Sequence, residues 1–440
     1  MRLPRLLTPL LVLFAGFACS GAEDWSLERA LTFARTNNPD ARLARSRIHV
    51  AQAGIDQANS AFWPKLQFQS SYTRTDNPML AFGSILNQRA FSDSMDFNDV
   101  PDTDDLNVRG IATVPIYVGG RNKANTRTAE AASLAAKEDE KATLNILDYE
   151  VARSFFTIQK TREFARAAEA SVIALRTNLD VAGRRLDAGS LLKTDVLDIE
   201  VRLAEAKEDH LRAQNANAIA IRSLRNLLGI EQGEFAVADG APDIEAPGGM
   251  DFSGRAELAA ARERERAAQE QVRAARGNYL PRLSAFGSLD YDYGWELENG
   301  GRSYTVGGLL QWDIWDGSQT RAKVREARAN LESSQEATRK TRLMLDLEIE
   351  QARLEFNAAS ERVAVTAQMI ARATESASLT RARFDQGAAL ASQLIDAETA
   401  LLAARVREAE ARADRRVAVA ALRKALGLPQ MDIKPHQETK

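Results

Sequence analysis

Two hydrophobic periods alternate along this chain, one helical and one of exactly the strand type, and their order repeats. Apolar positions recur at helical spacing from Ser26 to about Phe62, with Glu28 favourably early in the run and Trp63-Pro64 stopping it. Asn37-Asn38-Pro39 divides this helix into two pieces. The period then drops to two. Leu66, Phe68, Ser70 and Tyr72 alternate with Gln67, Gln69, Ser71 and Thr73. After a polar stretch, Val108, Gly110, Ala112, Val114 and Ile116 share a face opposite Asn107, Arg109 and Thr113, with Ile111 the apolar exception there. The alternation predicts two strands, each apolar on one side. Gly119-Gly120 closes the second, and a helix is predicted from about Asn122 to Leu186. Its seam, Leu147, Val151, Ser154, Ile158, Thr161 and Ala165, steps by four and three as in a coiled coil. At 1.5 Å per residue, roughly 65 residues make a rod of about 100 Å. The chain turns at Gly189 and returns as a helix from about Thr194 to Leu228, stopped by Gly229.

After a connector rich in Gly, Pro and acids (230–253), the same order recurs. A helix from Arg255 to Asn278 ends at Tyr279-Leu280-Pro281, and a strand carries Leu283, Ala285, Gly287, Leu289, Tyr291 and Tyr293 on one face. The predicted return strand sets Tyr304, Val306, Gly308, Leu310, Trp312 and Ile314 against Ser303, Thr305, Gln311 and Asp313. A second long helix, about Gln319 to Phe384, has the seam Leu345, Ile349, Ala352, Phe356, Ala359 and Val363. Each member lies 198 positions after its counterpart, as Gly387 does after Gly189 and Asp396 after Asp198. Upstream, Pro64 and Pro281 are 217 apart; the 19-residue difference falls in the loop between the first two strands, where insertions are tolerated. The chain therefore divides into a leader (1–22), a first repeat (23–229), the connector, a second repeat (254–428) and a tail (429–440).

The fold class is mainly α with β: long coiled-coil hairpins and four strands. The apolar strand faces run for about ten residues, the length of a tilted transmembrane strand, and Tyr72, Trp295, Tyr304, Trp312 and Trp315 lie toward strand ends as interfacial aromatics do. Unpaired backbone groups are too costly in lipid, and four strands close no barrel, so several chains must pool them. Three chains with twelve strands and two with eight are the small options. Length matching adds a tube. About 37 residues from the first turn to Gly229, with about 25 from Arg255 to Tyr279, nearly equal the long helix running the other way. The helix ending at Gly427 would be extended by the N-terminal helix ending at Phe62. Both glycine turns then sit at the end farthest from the strands.

Composition narrows the chemistry. Charged residues are 27% and aromatics 6%, as long helices require, and the acids and bases that sum to −3 are interspersed, so no nucleic-acid partner is indicated. Arg2 and Arg5 precede the run Leu10–Phe14 and the small residues Ser20-Gly21-Ala22, a secretory signal with cleavage after Ala22; lipidation of Cys19 is the alternative. Cleavage removes Arg2 and Arg5, taking the net charge from −3 to −5, and removes the single cysteine, leaving no disulfide or thiolate metal site. His49, His210 and His436 are scattered, and no phosphate loop or nucleophile elbow occurs, so neither enzyme nor cofactor is indicated. The acids from Asp93 to Asp105 lack the spacing of a calcium loop and read as a solvated segment.

In order and duplication, Asn38-Pro39, Trp63-Pro64-Lys65-Leu66, Leu280-Pro281-Arg282-Leu283, Gly119-Gly120, Asp316-Gly317 and Phe384-x-x-Gly387 followed by Leu394-Ile395-Asp396-Ala397 resemble the TolC-like outer membrane factors of bacterial efflux and type I secretion. The resemblance implies a homotrimer, a twelve-stranded β-barrel in the outer membrane and a periplasmic α-barrel. It further implies a periplasmic adaptor protein at the turns and, through it, an inner-membrane pump of the RND, ABC or MFS type. On that pattern the docking tip is Gly189, Ser190, Leu191, Gly387, Ala388 and Ala389. The gate draws on Asp195, Asp198, Gln393, Asp396, Arg185 and Arg383. Asp396 matches one acidic position of the family's constriction, and Gln393 stands at the other. Pairing of Asp195 with Arg383 between neighbouring hairpins is expected to hold the gate closed. A structural or adhesive trimeric coiled-coil envelope protein is the competing reading, and a diffusion porin, which would be mostly strand, a weaker one.

Overall fold

The computed structural model describes residues 24–96, 102–231, 235–240, 244–249 and 251–431. The leader with Cys19 and the last nine residues lie outside these. Two helices open the described chain, α1 (Leu27–Asn37) and α2 (Pro39–Ser60). Ser26 caps the first through its side chain and Asn38 the second, accepting from the Asp40 amide at 2.7 Å with Pro39 in the first turn. There follow β1 (Lys65–Thr75), α3 (Pro78–Asn87), β2 (Thr103–Val118), α4 (Arg121–Asp187) and α5 (Lys193–Leu227). The second half runs α6 (Ala256–Arg276), β3 (Arg282–Gly294), β4 (Asn299–Gln311), α7 (Gln319–Asp385) and α8 (Ala391–Ala425). The long helices α4 and α7 have 67 residues each, and α5 and α8 have 35 each. No described helix is long and apolar enough to cross a membrane.

The four strands form one antiparallel sheet in chain order. Its register brings Leu66 opposite Ala112, Ala112 opposite Gly287 and Gly287 opposite Val306, so the apolar faces merge into one. That face is uncovered: Val306 is 77% exposed. The other side carries polar pairs. Asn107 donates to Asp292 at 2.9 Å, Arg109 pairs with Asp290, and Ser288 donates to Asp290 at 2.8 Å. Such a sheet is inverted relative to a soluble one, with its polar groups satisfied inside and its apolar side left outward.

Below the sheet, α4 is the central rod. Leu147, Val151, Ile158 and Thr161 of its predicted seam are buried, and Phe155 and Phe156 join them in the main core with Leu27, Leu31, Leu224 and Leu228. The connector has no helix among its described residues, but it holds Trp25, just before α1. Trp25 donates its amide to Ala236, accepts from Ala238 and stacks on Phe235. A two-pronged Arg35–Asp148 pair locks α1 to α4.

Several expectations need correction. The segment between β1 and β2 is not merely solvated loop: it holds α3. Strand β2 begins at Thr103, so Asp104 and Asp105 are strand residues, and buried Asp104 accepts from the amides of Trp295 and Glu296, closing the β3–β4 turn. No group of acids suited to a metal occurs among the described residues. Ile116 does not continue the apolar face, because the register shifts between Pro115 and Tyr117 and leaves it as the extra residue of a bulge. Strand β4 ends at Gln311, so Trp312 and Ile314 lie beyond it, and the Trp312 indole donates to the Tyr279 carbonyl at 3.0 Å.

The largest correction concerns which helices stack end to end. The Asn38 side-chain amide donates to the Leu227 carbonyl at 2.8 Å, so α5 is continued by α2. Arg255 donates to the carbonyls of Lys424 and Ala425, so α8 is continued by α6. The two stacks are the reverse of the pairing expected from chain order. Their lengths still match, at 35 and 22 residues in one and 35 and 21 in the other. The joints differ in chemistry. A neutral Asn serves the first, whereas the second uses a guanidinium that is 2% exposed and also pairs with Glu257 and Glu348. Gly229 is required at the first joint: it has φ +72°, and a Cβ there would stand 2.8 Å from the Asn37 carbonyl oxygen.

Candidate functional site: the helical tip

Each hairpin turn is built by the same hydrogen bonds. After α4, the amides of Gly189 and Ser190 donate to the carbonyls of Leu186 and Arg185 at 2.9 and 2.8 Å. After α7, those of Gly387 and Ala388 donate to Phe384 and Arg383 at the same distances. Gly189 and Gly387 both adopt the left-handed conformation, with φ +72° and +77°, which ends a helix without a side-chain clash. Gly189, Ser190, Gly387 and Ala388 are exposed at the apex, and Leu191 and Ala389 are half-buried beneath it.

The restart explains Gln393. In α5 the Asp195 carboxylate accepts from the Leu192 amide at 3.3 Å. In α8 the Gln393 side-chain oxygen accepts from the Leu390 amide at 3.2 Å. Both sit three residues into the helix and turn back on the cap backbone, the reciprocal arm of a capping box. A leucine side chain accepts nothing, so the other arm is absent. The amide thus replaces the carboxylate in this role, without the charge.

A small core lies behind the turns, shared by both hairpins. Phe384 of α7 is fully buried with Ala182 and Ile199 of the first hairpin and Ala391 and Leu394 of the second. Arg185 closes it from the side. It donates to the Phe384 carbonyl at 2.7 Å, and its guanidinium lies 5.1 Å from the centre of the Phe384 ring. Its counterpart Arg383 is exposed and, among the described residues, reaches only the Ala388 carbonyl of its own turn, at 3.3 Å. Equivalent arginines therefore do different work: one joins the hairpins and the other remains at the surface. Within the chain, Asp195 and Arg383 are each occupied locally and do not meet. Asp198 and Asp396 are exposed, and neither has an ion-pair partner among the described residues.

Farther from the apex, Arg202 of α5 donates to the Thr399 hydroxyl of α8 through Nε and Nη2, a second link between hairpins. Arg381 pairs with buried Glu398 inside the second hairpin. The sequence carried a signal for this pair, since Glu398 falls four residues after Leu394 on the face that turns inward. The two halves of the tip are thus joined by a small shared core around Phe384 and by a few polar contacts.

Comparison with known proteins agrees with this architecture. The profile of a family described as "Outer membrane efflux protein" matches residues 31–230 and 253–428. The "Outer membrane protein TolC" of Vibrio cholerae is 24% identical over 327 residues, covering 70% of this chain and 73% of its own length. Among solved structures, the outer-membrane channel OprN superposes with a TM-score of 0.79 at 21% identity, covering 91% of this chain and 89% of that one. CusC, described with transmembrane channel formation, gives 0.80 at 19% identity and covers 92% of both chains. At these identities the superpositions establish the fold.

Proposed function

The chain belongs to the outer membrane efflux protein family, whose members are outer membrane channels and not enzymes, and on that premise we propose that it is the exit duct of a tripartite efflux or type I secretion machine. The observation that carries this reading is the placement of opposite features at opposite ends. An uncovered apolar sheet stands at one end of α4, and a pair of matched turns stands at the other, 67 residues and about 100 Å away. Strands β1 and β4 are both edges, which lipid penalises, so copies of the chain join edge to edge. Three copies give twelve strands, a homotrimeric barrel continued into the periplasm by the helices. A purely structural or adhesive coiled coil has no use for an apolar sheet of this kind.

Energy comes from an inner-membrane pump of the RND, ABC or MFS type, reached through a periplasmic adaptor. The adaptor docks on the exposed apex, Gly189, Ser190, Leu191, Gly387, Ala388 and Ala389. The gate lies behind it. Arg185 holds the two hairpins of one chain together, while Arg383, Asp195, Asp198, Gln393 and Asp396 face neighbouring hairpins, where Arg383 and Asp195 pair across copies. The two halves of the chain are products of a tandem duplication. The test is drug and metal susceptibility of a strain lacking the chain, with crosslinking from Ser190→Cys and Ala388→Cys. Raised susceptibility and capture of an adaptor are expected. Unchanged susceptibility with nothing captured would overturn the assignment.

A further inference from the structure

Helix α3 sits at the end of the sheet farthest from the long helices, and the side it covers can be read from the pleat. Its inward residues Ala81, Ile85 and Gln88 are buried. The Gln88 side-chain amide donates to the Asp104 carbonyl at 2.7 Å and to the Asp105 carboxylate at 3.0 Å. A Cβ on Gly294 would stand 2.2 Å from the Gln88 side-chain oxygen, and one on Gly301 would stand 1.9 Å from the Asn87 carbonyl. Asp105, Gly294 and Gly301 all alternate out of phase with Ala112, Leu289 and Val306. They belong to the polar face, so α3 lies over that face at its outermost rungs. On the opposite face it would have lain in lipid.

The side of α3 turned away from the sheet is apolar. Met79 is 79% exposed, Leu80 57% and Leu86 46%. The helix is capped by Asn77 at its start, and just past its end the Asn299 side chain donates to the Arg89 carbonyl.

Resting on the pooled barrel proposed above, we infer that the α3 helices of the three copies meet one another on the barrel axis and form a hydrophobic gate at the outer mouth. The polar face of every copy turns inward, so each α3 is carried to the lumen and its apolar side toward the other two. A twelve-stranded barrel with strands about 4.8 Å apart and tilted about 40° is about 24 Å across between backbones. Three helices, each about 10 Å wide with side chains, leave no open water column there. An apolar constriction of that kind dewets readily and resists the passage of ions. The occupant of the Met79–Leu86 face is thus the same face of a second copy, and the duct carries two resistances in series, one at the tip and one at the outer mouth.

The experiment uses the full-length purified oligomer in planar bilayers with the tip loosened by Arg185→Ala, Asp195→Ala and Arg383→Ala, comparing that chain with one that also carries Met79→Ser, Leu80→Ser and Leu86→Ser. The serine chain should conduct at roughly twice the unitary conductance of the tip-loosened chain or more, and a silent tip-loosened chain beside a conducting serine chain supports the gate equally. Equal conductance overturns the gate and leaves the duct standing. Absence of pores from both chains overturns the duct itself. Should the serine chain not reach the membrane, Met79→Cys decides: a short bis-maleimide links copies if the helices meet, and failure to link them overturns the inference.

Discussion

Arg185→Ala removes one of the contacts that join the two hairpins at the tip of one chain. Its size follows from the geometry. The charged donor to the Phe384 carbonyl, at 2.7 Å, is worth about 1.5–3 kcal/mol. The guanidinium over the Phe384 ring, 5.1 Å from its centre, adds about 0.5–1 kcal/mol. Arg185 is half-exposed, and screening brings the sum to roughly 2 kcal/mol. Phe384 remains packed with Ala391 and Leu394 of its own hairpin, so each hairpin stays folded. If the contact exists only when the tip is closed, its loss shifts the equilibrium toward open by about 30-fold per chain. Single-channel recording reads this as open probability. Arg185→Lys, which keeps the charge but not the planar stack, should fall between alanine and wild type. An Arg185→Ala oligomer that assembles normally and opens no more often than wild type would refute Arg185 as a latch.

Further predictions concern the joint between α8 and α6 and the surface of the tip. Arg255→Ala leaves the Lys424 and Ala425 carbonyls and two carboxylates without their buried partner, and should cost about 3–5 kcal/mol. Hydrogen exchange in the last turn of α8 should accelerate, and unchanged protection would show that Arg255 does not secure the joint. The same joint is acid-sensitive. Burial alone would push the Glu257 carboxyl up, but hydrogen bonds from Arg255 and a backbone amide, with the charges of Arg255 and Lys424, hold it below its ordinary 4.5. A depressed folded value contributes stability above pH 4.5 that is lost as pH falls through that lower value, so thermal stability should drop on acidification and drop less in Glu257→Gln. Equal acid sensitivity of the two chains would contradict this. Asp195→Ala with Arg383→Ala should raise single-channel conductance by breaking the pair between copies, and an unchanged value would leave Arg185 as the tip's tested link.

Much of this architecture is legible in the residues because helices and strands bury different periods. The two seams at Leu147 and Leu345 and the alternating faces beginning at Leu66 and Leu283 locate α4, α7, β1 and β3 without three-dimensional information. What escapes is local chemistry that acts at a distance. Asp104 and Asp105 resemble loop residues because aspartate is rare in strands, and only the amides of Trp295 and Glu296 explain Asp104 there. Helix α3 is ten residues long, too short for its period to stand out from its surroundings. The stacking order misleads because neighbours in sequence are usually neighbours in space, yet Asn38 and Arg255 carry each stack to a helix distant in the chain. The turns at Gly189 and Gly387 are legible as twins, but not the division of labour between Arg185 and Arg383, which depends on which helix end lies within reach.

The central claim is that three copies close one barrel through β1 of each and β4 of the next. Cysteines placed at Gln67, Gln69 or Ser71 in β1, each combined with one at Ser303 or Thr305 in β4, all lie on the inner face. Within one chain the two edges are separated by three strand spacings, about 14 Å, so a short crosslink must join different copies. Crosslinking in outer membrane fractions, read on a denaturing gel, should give a ladder that ends at three chains. No link at any register, or a ladder ending at two, would contradict the twelve-stranded duct.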